Sequence, residues 1–168
     1  MTDLIRWQFD LTWALCEYHL DRLVDDDLTW VPAPLHWTLH PGPDGGWTPD
    51  FAETEPDPVP APTGAWLGWH LLWWWGTALD ELTGRRRRDR TDVVWPGSAA
   101  GLVTALHELA GRWREALDAV DPDRPVTFPW PTGHTAGHLT AWANAELMKN
   151  AAELGHLRLL RAAGAGRP

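Results

Sequence analysis

Between Thr140 and Gly155 the chain sets two carboxylates and an amide, Glu146, Asn150 and Glu153, among Ala, Leu and Met. Nothing from Leu139 to Leu154 breaks a helix, and Ala, Leu, Met, Glu and Lys favour one. Residues three or four apart stack on one helix face, so Glu146 and Asn150 point the same way. Trp142 and Glu153 extend that face, within a stripe that includes Leu139, Ala143 and Leu157. Burying such groups without partners costs a few kcal/mol each. The partner at hand is His70, in the equally apolar run from Trp66 to Trp75. Imidazole and carboxylate are good ligands for zinc and its neighbours, whereas a neutral amide oxygen is a poor one. The same three side chains can instead satisfy one another as a polar knot in the core. Glu146 would then favour a protonated imidazole, and Asn150 would take its remaining donors. His70, Glu146 and Asn150 form the candidate site, with Glu153 in reserve.

The other reactive side chains offer less. His36 and His40 are four apart, but on a strand or turn that spacing has no geometric meaning. His134 and His138 have ligand spacing only if both are helical. Gly133 and Thr135 place His134 at or before the helix start, and His138 lies about 12 Å along the helix from Glu146. His107 and His156 read as surface residues. Cys16 falls in an apolar helical pattern and reads as a buried structural thiol. The chain has no Gly-rich phosphate loop, no Ser-His-Asp arrangement and no CxxC.

Four long helical patterns position these groups, and they predict an all-α four-helix bundle in one domain spanning residues 1–168. The helices are expected at about 3–24, 63–83, 98–120 and 135–163. In the first, Ile5, Phe9, Trp13, Cys16, Leu20 and Leu23 recur at helical spacing beside Trp7, Leu11, Leu15 and Tyr18. So wide an apolar arc is expected to contact two neighbours. The second follows Pro62 and closes at Gly84, and the third starts at Ser98, a plausible N-cap. Residues 25–62 form a Pro- and Trp-rich insertion. Within it Trp37–His40 and Trp47–Phe51 flank Pro41-Gly42-Pro43-Asp44-Gly45-Gly46 and predict a small hairpin. So long a connector is expected to pack over something. Arg85-Arg86-Arg87-Arg88-Asp89-Arg90 reads as a solvated loop.

Charge narrows the function classes. The net charge of −9 argues against nucleic acid as a partner. The single cysteine excludes an internal disulfide and suits a reducing cytoplasm. Asp3 and Arg6, with no unbroken apolar run, do not read as a secretory signal. The apolar run from Ala65 to Leu79 is too short to span a bilayer, so no membrane partner is expected. The 14 Trp residues are a large apolar surplus, on which a homodimer is favoured.

A His on the second helix and Glu-x3-Asn on the fourth give the chain a resemblance to the DinB-like superfamily of four-helix-bundle metalloenzymes. The resemblance covers essentially the whole chain, through helix order, the His in a Trp-rich second helix and the run Glu146…Asn150…Glu153-Leu154-Gly155. It implies an up-down-down-up bundle. It further implies a divalent metal, held by one His of the second helix and two residues four apart on the fourth, usually His-x3-His or Glu-x3-His. Carried over, the ligands are His70, Glu146 and Asn150. A register anchored on Gly155 would put Lys149 and Glu153 at the paired positions instead. With Asn at position 150 the set would hold zinc loosely, or suit a harder ion such as Ni, Fe or Mn. The superfamily includes mycothiol-dependent maleylpyruvate isomerase and thiol S-transferases, which implies a metal-dependent S-transferase or isomerase using a low-molecular-weight thiol and a small-molecule substrate. The competing class is a non-catalytic small-ligand-binding or oligomeric protein with a metal-free site.

Overall fold

The computed structural model describes residues 2–42 and 45–164. Four long helices carry the fold: α1 (Thr2–Leu20), α3 (Gly64–Leu82), α4 (Ala99–Ala119) and α5 (Ala136–Ala162), with a short α2 (Asp25–Thr29) after the first. Sequence periodicity places all four long helices, with ends shifted by a few residues. The largest shift is in α1, which stops at Leu20, short of the expected residue 24, so that α2 can begin. Thr63 caps α3 by accepting from the Trp66 amide, and Ser98 caps α4 by accepting from the Gly101 amide. Gly84 ends the α3 region with a φ of 67°, a conformation that costs glycine nothing.

Each long helix packs against two others: α1 on α5 and α4, α3 on α5 and α4. Their shared interior is aromatic. Phe9 and Trp13 of α1 meet Trp75 of α3 at 6.0 and 5.8 Å between ring centroids, and Trp75 meets Trp113 of α4 at 6.1 Å. Tilted and edge-on pairs of this kind add to the burial that holds the helices together. Gly155 lets α5 approach α1 closely, since a Cβ there would collide with the His19 ring.

The first helix meets two neighbours, α5 and α4, as expected, but not with its whole apolar arc. Phe9, Trp13, Cys16 and Leu20 are buried, but Leu4, Trp7, Leu11, Leu15 and Tyr18 face outward. Only one side of its apolar arc meets neighbouring helices.

The connector between α2 and α3 contains the expected hairpin. Strands β2 (Leu39–Pro41) and β3 (Trp47–Pro49) pair antiparallel, with His40 opposite Thr48. Pro43 and Asp44 of its turn lie outside the described residues. A second, parallel pairing joins β1 (His36–Trp37) to β4 (Ala61–Pro62), which closes the connector on itself. The third small pair, β5 (Pro125–Val126) with β6 (His134–Thr135), leads into α5. The connector packs on α3: Trp37 stacks on Trp66 at 5.1 Å, the Trp66 indole N–H donates to the Asp50 carbonyl at 2.7 Å, and Phe51 sits edge-on to Trp73.

The arginine run is an exposed loop at Arg85, Arg86 and Arg87, as expected, but Arg88 and Arg90 are half-buried and tied into the fold. Arg88 grips the buried Asp80 of α3 with two bonds, at 2.8 and 3.1 Å. Arg86 bonds Asp92 and Arg87 donates to the Thr127 carbonyl. Arg90 bonds Glu53 at 2.7 Å while lying 3.7 Å over the Phe51 ring. A guanidinium can be held by a carboxylate fork and an aromatic face at once, and here that chemistry ties both connectors to α3.

Candidate functional site

His70 lies on α3 within an aromatic stack. Trp66, one turn earlier, lies parallel to the imidazole at 4.8 Å, and Trp73 is tilted against it at 5.9 Å. The opposite wall is α5. Its Asn150 is buried and fully engaged: the amide oxygen accepts from the Trp74 indole N–H at 2.9 Å, and the amide nitrogen donates to Glu153 at 2.9 Å. The connector forms the third wall with Trp37, Phe51 and the segment ending at Pro62. Together they enclose a cavity of about 410 Å³, into which His70, Lys149, Asn150 and Glu153 bring polar groups. Glu53 and Glu55 stand on the connector side.

The electrostatics leave His70 uncharged. Its pKa is pulled down to about 4, first by burial and then by the Lys149 ammonium, against a smaller opposing effect of the Asn150 side chain. Its Nδ1 is buried with no hydrogen-bond partner in the protein. A buried polar atom without a partner is an exception that calls for one, and the His70 side chain that carries it lines the cavity.

Two of the three expected members therefore meet: His70 and Asn150 line one cavity. Glu146 does not line it; its carboxylate is drawn to Lys149 at 3.2 Å along the helix. Glu153, held in reserve on the sequence, is the carboxylate that faces His70's cavity and bonds Asn150. Lys149 and Trp74 were missed as members. Trp74 had a signal, since it follows His70 by one turn on the same face of α3; Lys149 sits beside Asn150 and is set aside on sequence because a protonated amine ligates no metal.

The fit to a divalent ion follows from these contacts. A zinc-type centre needs three protein donors, of imidazole, thiolate or carboxylate type. His70 supplies one, the Asn150 oxygen already serves Trp74, and Glu146 is tied to Lys149 away from the cavity. Among the described residues no three His, Cys, Asp or Glu side chains gather to hold an ion. The residues present do not fit the metal that the resemblance implies.

Several of the remaining histidines are held by local bonds, while His19 Nδ1 is buried without a partner. His40 bonds Asp50 at 2.8 Å, and His36 bonds the Pro34 carbonyl. The His134 and His138 rings meet edge-on at 5.4 Å, but His138 Nδ1 is held by the Thr135 amide and hydroxyl, and His134 Nδ1 by the Thr132 carbonyl. Cys16 is buried, and burial pushes its thiol up to about 12.

A bundle of four long helices with a polar cavity between the second and fourth defines the class of protein. The family model of the DinB superfamily matches residues 8–154, and the chain belongs to that superfamily. No curated protein and no solved structure matches the chain. Among the described residues no helix is long and apolar enough to cross a membrane.

Proposed function

We propose that this DinB-superfamily chain binds a small organic molecule in the His70 cavity without a resident metal. The observation that carries the reading is the convergence of a neutral His70 and the polar groups of Lys149, Asn150 and Glu153 on a cavity whose other walls include Trp37, Trp66, Phe51 and proline. Its volume is in the range of small-molecule sites, and a few polar groups in an apolar wall are what orient a ligand. A ligand with a flat apolar body and one or two hydrogen-bonding groups suits these walls. His70 takes or gives one hydrogen bond, and Glu153 and Lys149 meet charge at the mouth.

Binding is favoured over turnover. A general base works best with a pKa near the operating pH, and an imidazole at about 4 is a weak one. The metal-dependent thiol S-transferase or isomerase reading lacks its third donor, as does a thiolate activated on that metal. The bundle order up-down-down-up belongs to the same proposal, supported by a connector of 14 residues from Gly84 to Gly97, enough to run about 46 Å.

A thermal-shift screen of aromatic acids, aromatic amines and reduced glutathione tests the binding reading. Hits are expected to lose their shift in His70→Ala and in Glu153→Gln; hits that keep it in both bind elsewhere and overturn the reading. Metal analysis of protein purified without an affinity His-tag tests the other half. Substoichiometric zinc is expected in the parent. Asn150→His replaces an amide by an imidazole and is expected to raise zinc affinity markedly, and His70→Ala is expected to remove the gain. One equivalent of zinc in the parent, lost with His70→Ala, would restore the metalloenzyme reading.

A further inference from the structure

Five of the large apolar side chains left at the surface lie on one face of one helix. Leu4, Trp7, Leu11, Leu15 and Tyr18 of α1 are 67, 62, 46, 47 and 54% exposed. Residues spaced by three and four form a single stripe on a helix, here running about 21 Å. Such side chains at that exposure offer roughly 600 Å², the upper end of the largest apolar patch on an ordinary monomer. Beside them α5, packed along α1, turns Ala141, Ala145 and Ala152 outward, a low surface next to a tall ridge. The combined face approaches the roughly 800 Å² that each partner gives to a standard interface.

We propose that this face pairs two copies of the chain through antiparallel α1 helices, about a two-fold axis at Leu11. The spacing is the reason for choosing a second copy. It runs three, four, four, three, and so reads the same in both directions. A two-fold contact must be self-complementary, each residue meeting its counterpart in reverse order. Turned end for end, Leu11 meets Leu11, Trp7 meets Leu15 and Leu4 meets Tyr18. The Asp3 end of one helix then lies beside the Arg22 end of the other.

The flank agrees. Two of the charges beside the stripe are paired within one chain, Asp10 with Arg114 at 2.9 Å and Arg6 with Asp118. The five stripe residues carry no charge themselves, so two copies meet there without like charges face to face, which would cost several kcal/mol. A lipid surface is the other use of an amphipathic face, but such helices carry Lys and Arg beside the apolar stripe. This one carries Asp3, Asp10, Glu17 and Asp21 on a chain of net charge −9.

Sedimentation velocity of the full chain decides it. The expected mass is twice the 18.9 kDa of one chain at high micromolar concentration. Leu11→Glu places two carboxylates at the axis and is expected to weaken association about a hundredfold or more, with far-UV circular dichroism unchanged because Leu11 supports no core contact. Leu11→Lys is expected to do the same. Mixing the two variants is expected to restore a dimer, since glutamate now meets lysine at the axis. A monomeric parent, a dimer that survives Leu11→Glu, or variants that stay monomeric when mixed would each overturn the proposal. A monomeric parent that binds vesicles of phosphatidylcholine and phosphatidylserine would assign the face to lipid instead.

Discussion

The interior between α3 and α5 and the outer side of α1 are mirror cases. One sets an imidazole, an amide and a carboxylate among indole rings; the other sets Leu, Trp and Tyr in water. The interior groups are mostly satisfied within the chain, Asn150 by Trp74 and Glu153, while His70 Nδ1 has no partner. Of the outer groups, Tyr18 meets the Arg22 guanidinium and the His19 ring, and Leu4, Trp7, Leu11 and Leu15 remain largely exposed. The two regions therefore contribute differently to folding. Breaking the interior network leaves donors stranded in low dielectric, whereas changing the outer stripe leaves the fold of one copy as it was. Polarity out of place inside is repaired by hydrogen bonds, and apolar surface out of place outside waits for a partner surface.

The sharpest way to break this contrast is to truncate one residue in each region. Asn150→Ala strands the Trp74 N–H, removes a bond to the Glu153 carboxylate and opens a small void, for a loss of about 3–5 kcal/mol. Leu11→Ala, measured in dilute solution where one copy stands alone, is expected to change stability by less than about 0.5 kcal/mol. Urea unfolding of both variants provides the comparison. Equal losses would mean that Leu11 supports the core, or that Asn150 does not.

Acid titration separates the regions next. In the unfolded chain an imidazole protonates near 6.5, whereas in the fold His70 does so only near 4. Between those values the unfolded state binds the extra proton, so the contribution of His70 is complete above pH 6.5 and is lost as pH falls toward 4. A shift of this size corresponds to about 3 kcal/mol. In His70→Leu the dependence of stability on pH across that window is expected to flatten relative to the parent. An unchanged slope would place His70 in contact with water.

These contrasts also mark what the sequence could and could not convey. The long helices were legible because Thr63 and Ser98 are real caps and the apolar spacing in α4 admits one face only. The His70–Asn150 meeting was legible because each is a polar residue on an apolar stripe. Glu146 and Glu153 were not separable in the sequence because helical spacing puts both within reach of Asn150. What separates them is Lys149, which takes Glu146 and leaves Glu153 to the amide. The anchoring of Arg88 and Arg90 was not legible because their partners, Asp80, Glu53 and the Phe51 ring, are distant in sequence or lie in another connector. The outward turn of α1 was illegible for a plainer reason. Periodicity reports that two arcs of a helix are apolar, and it does not say which one the remaining helices cover.

The smallest expected effect uses neighbours on α1 that face opposite ways. Cys16 is buried beside the core tryptophans, and burial pushes its thiol up to about 12. The thiolate is the reactive form, so native protein at pH 8 is expected to leave a thiol reagent such as dithionitrobenzoate almost unreacted until it unfolds. Leu15→Cys adds a thiol one residue away on the exposed face, with no comparable burial. That thiol is expected to react at the rate of a free cysteine in dilute solution. In the antiparallel pair it faces Trp7 of the other copy, so its rate is expected to fall severalfold as concentration rises through the dimer range, while the rate at Cys16 does not change. Comparing the two rates across concentration reads both faces of one helix in a single experiment. A Leu15→Cys rate independent of concentration would leave the outer stripe unpaired, and rapid modification of Cys16 in the native state would mean that the inner face is not sealed.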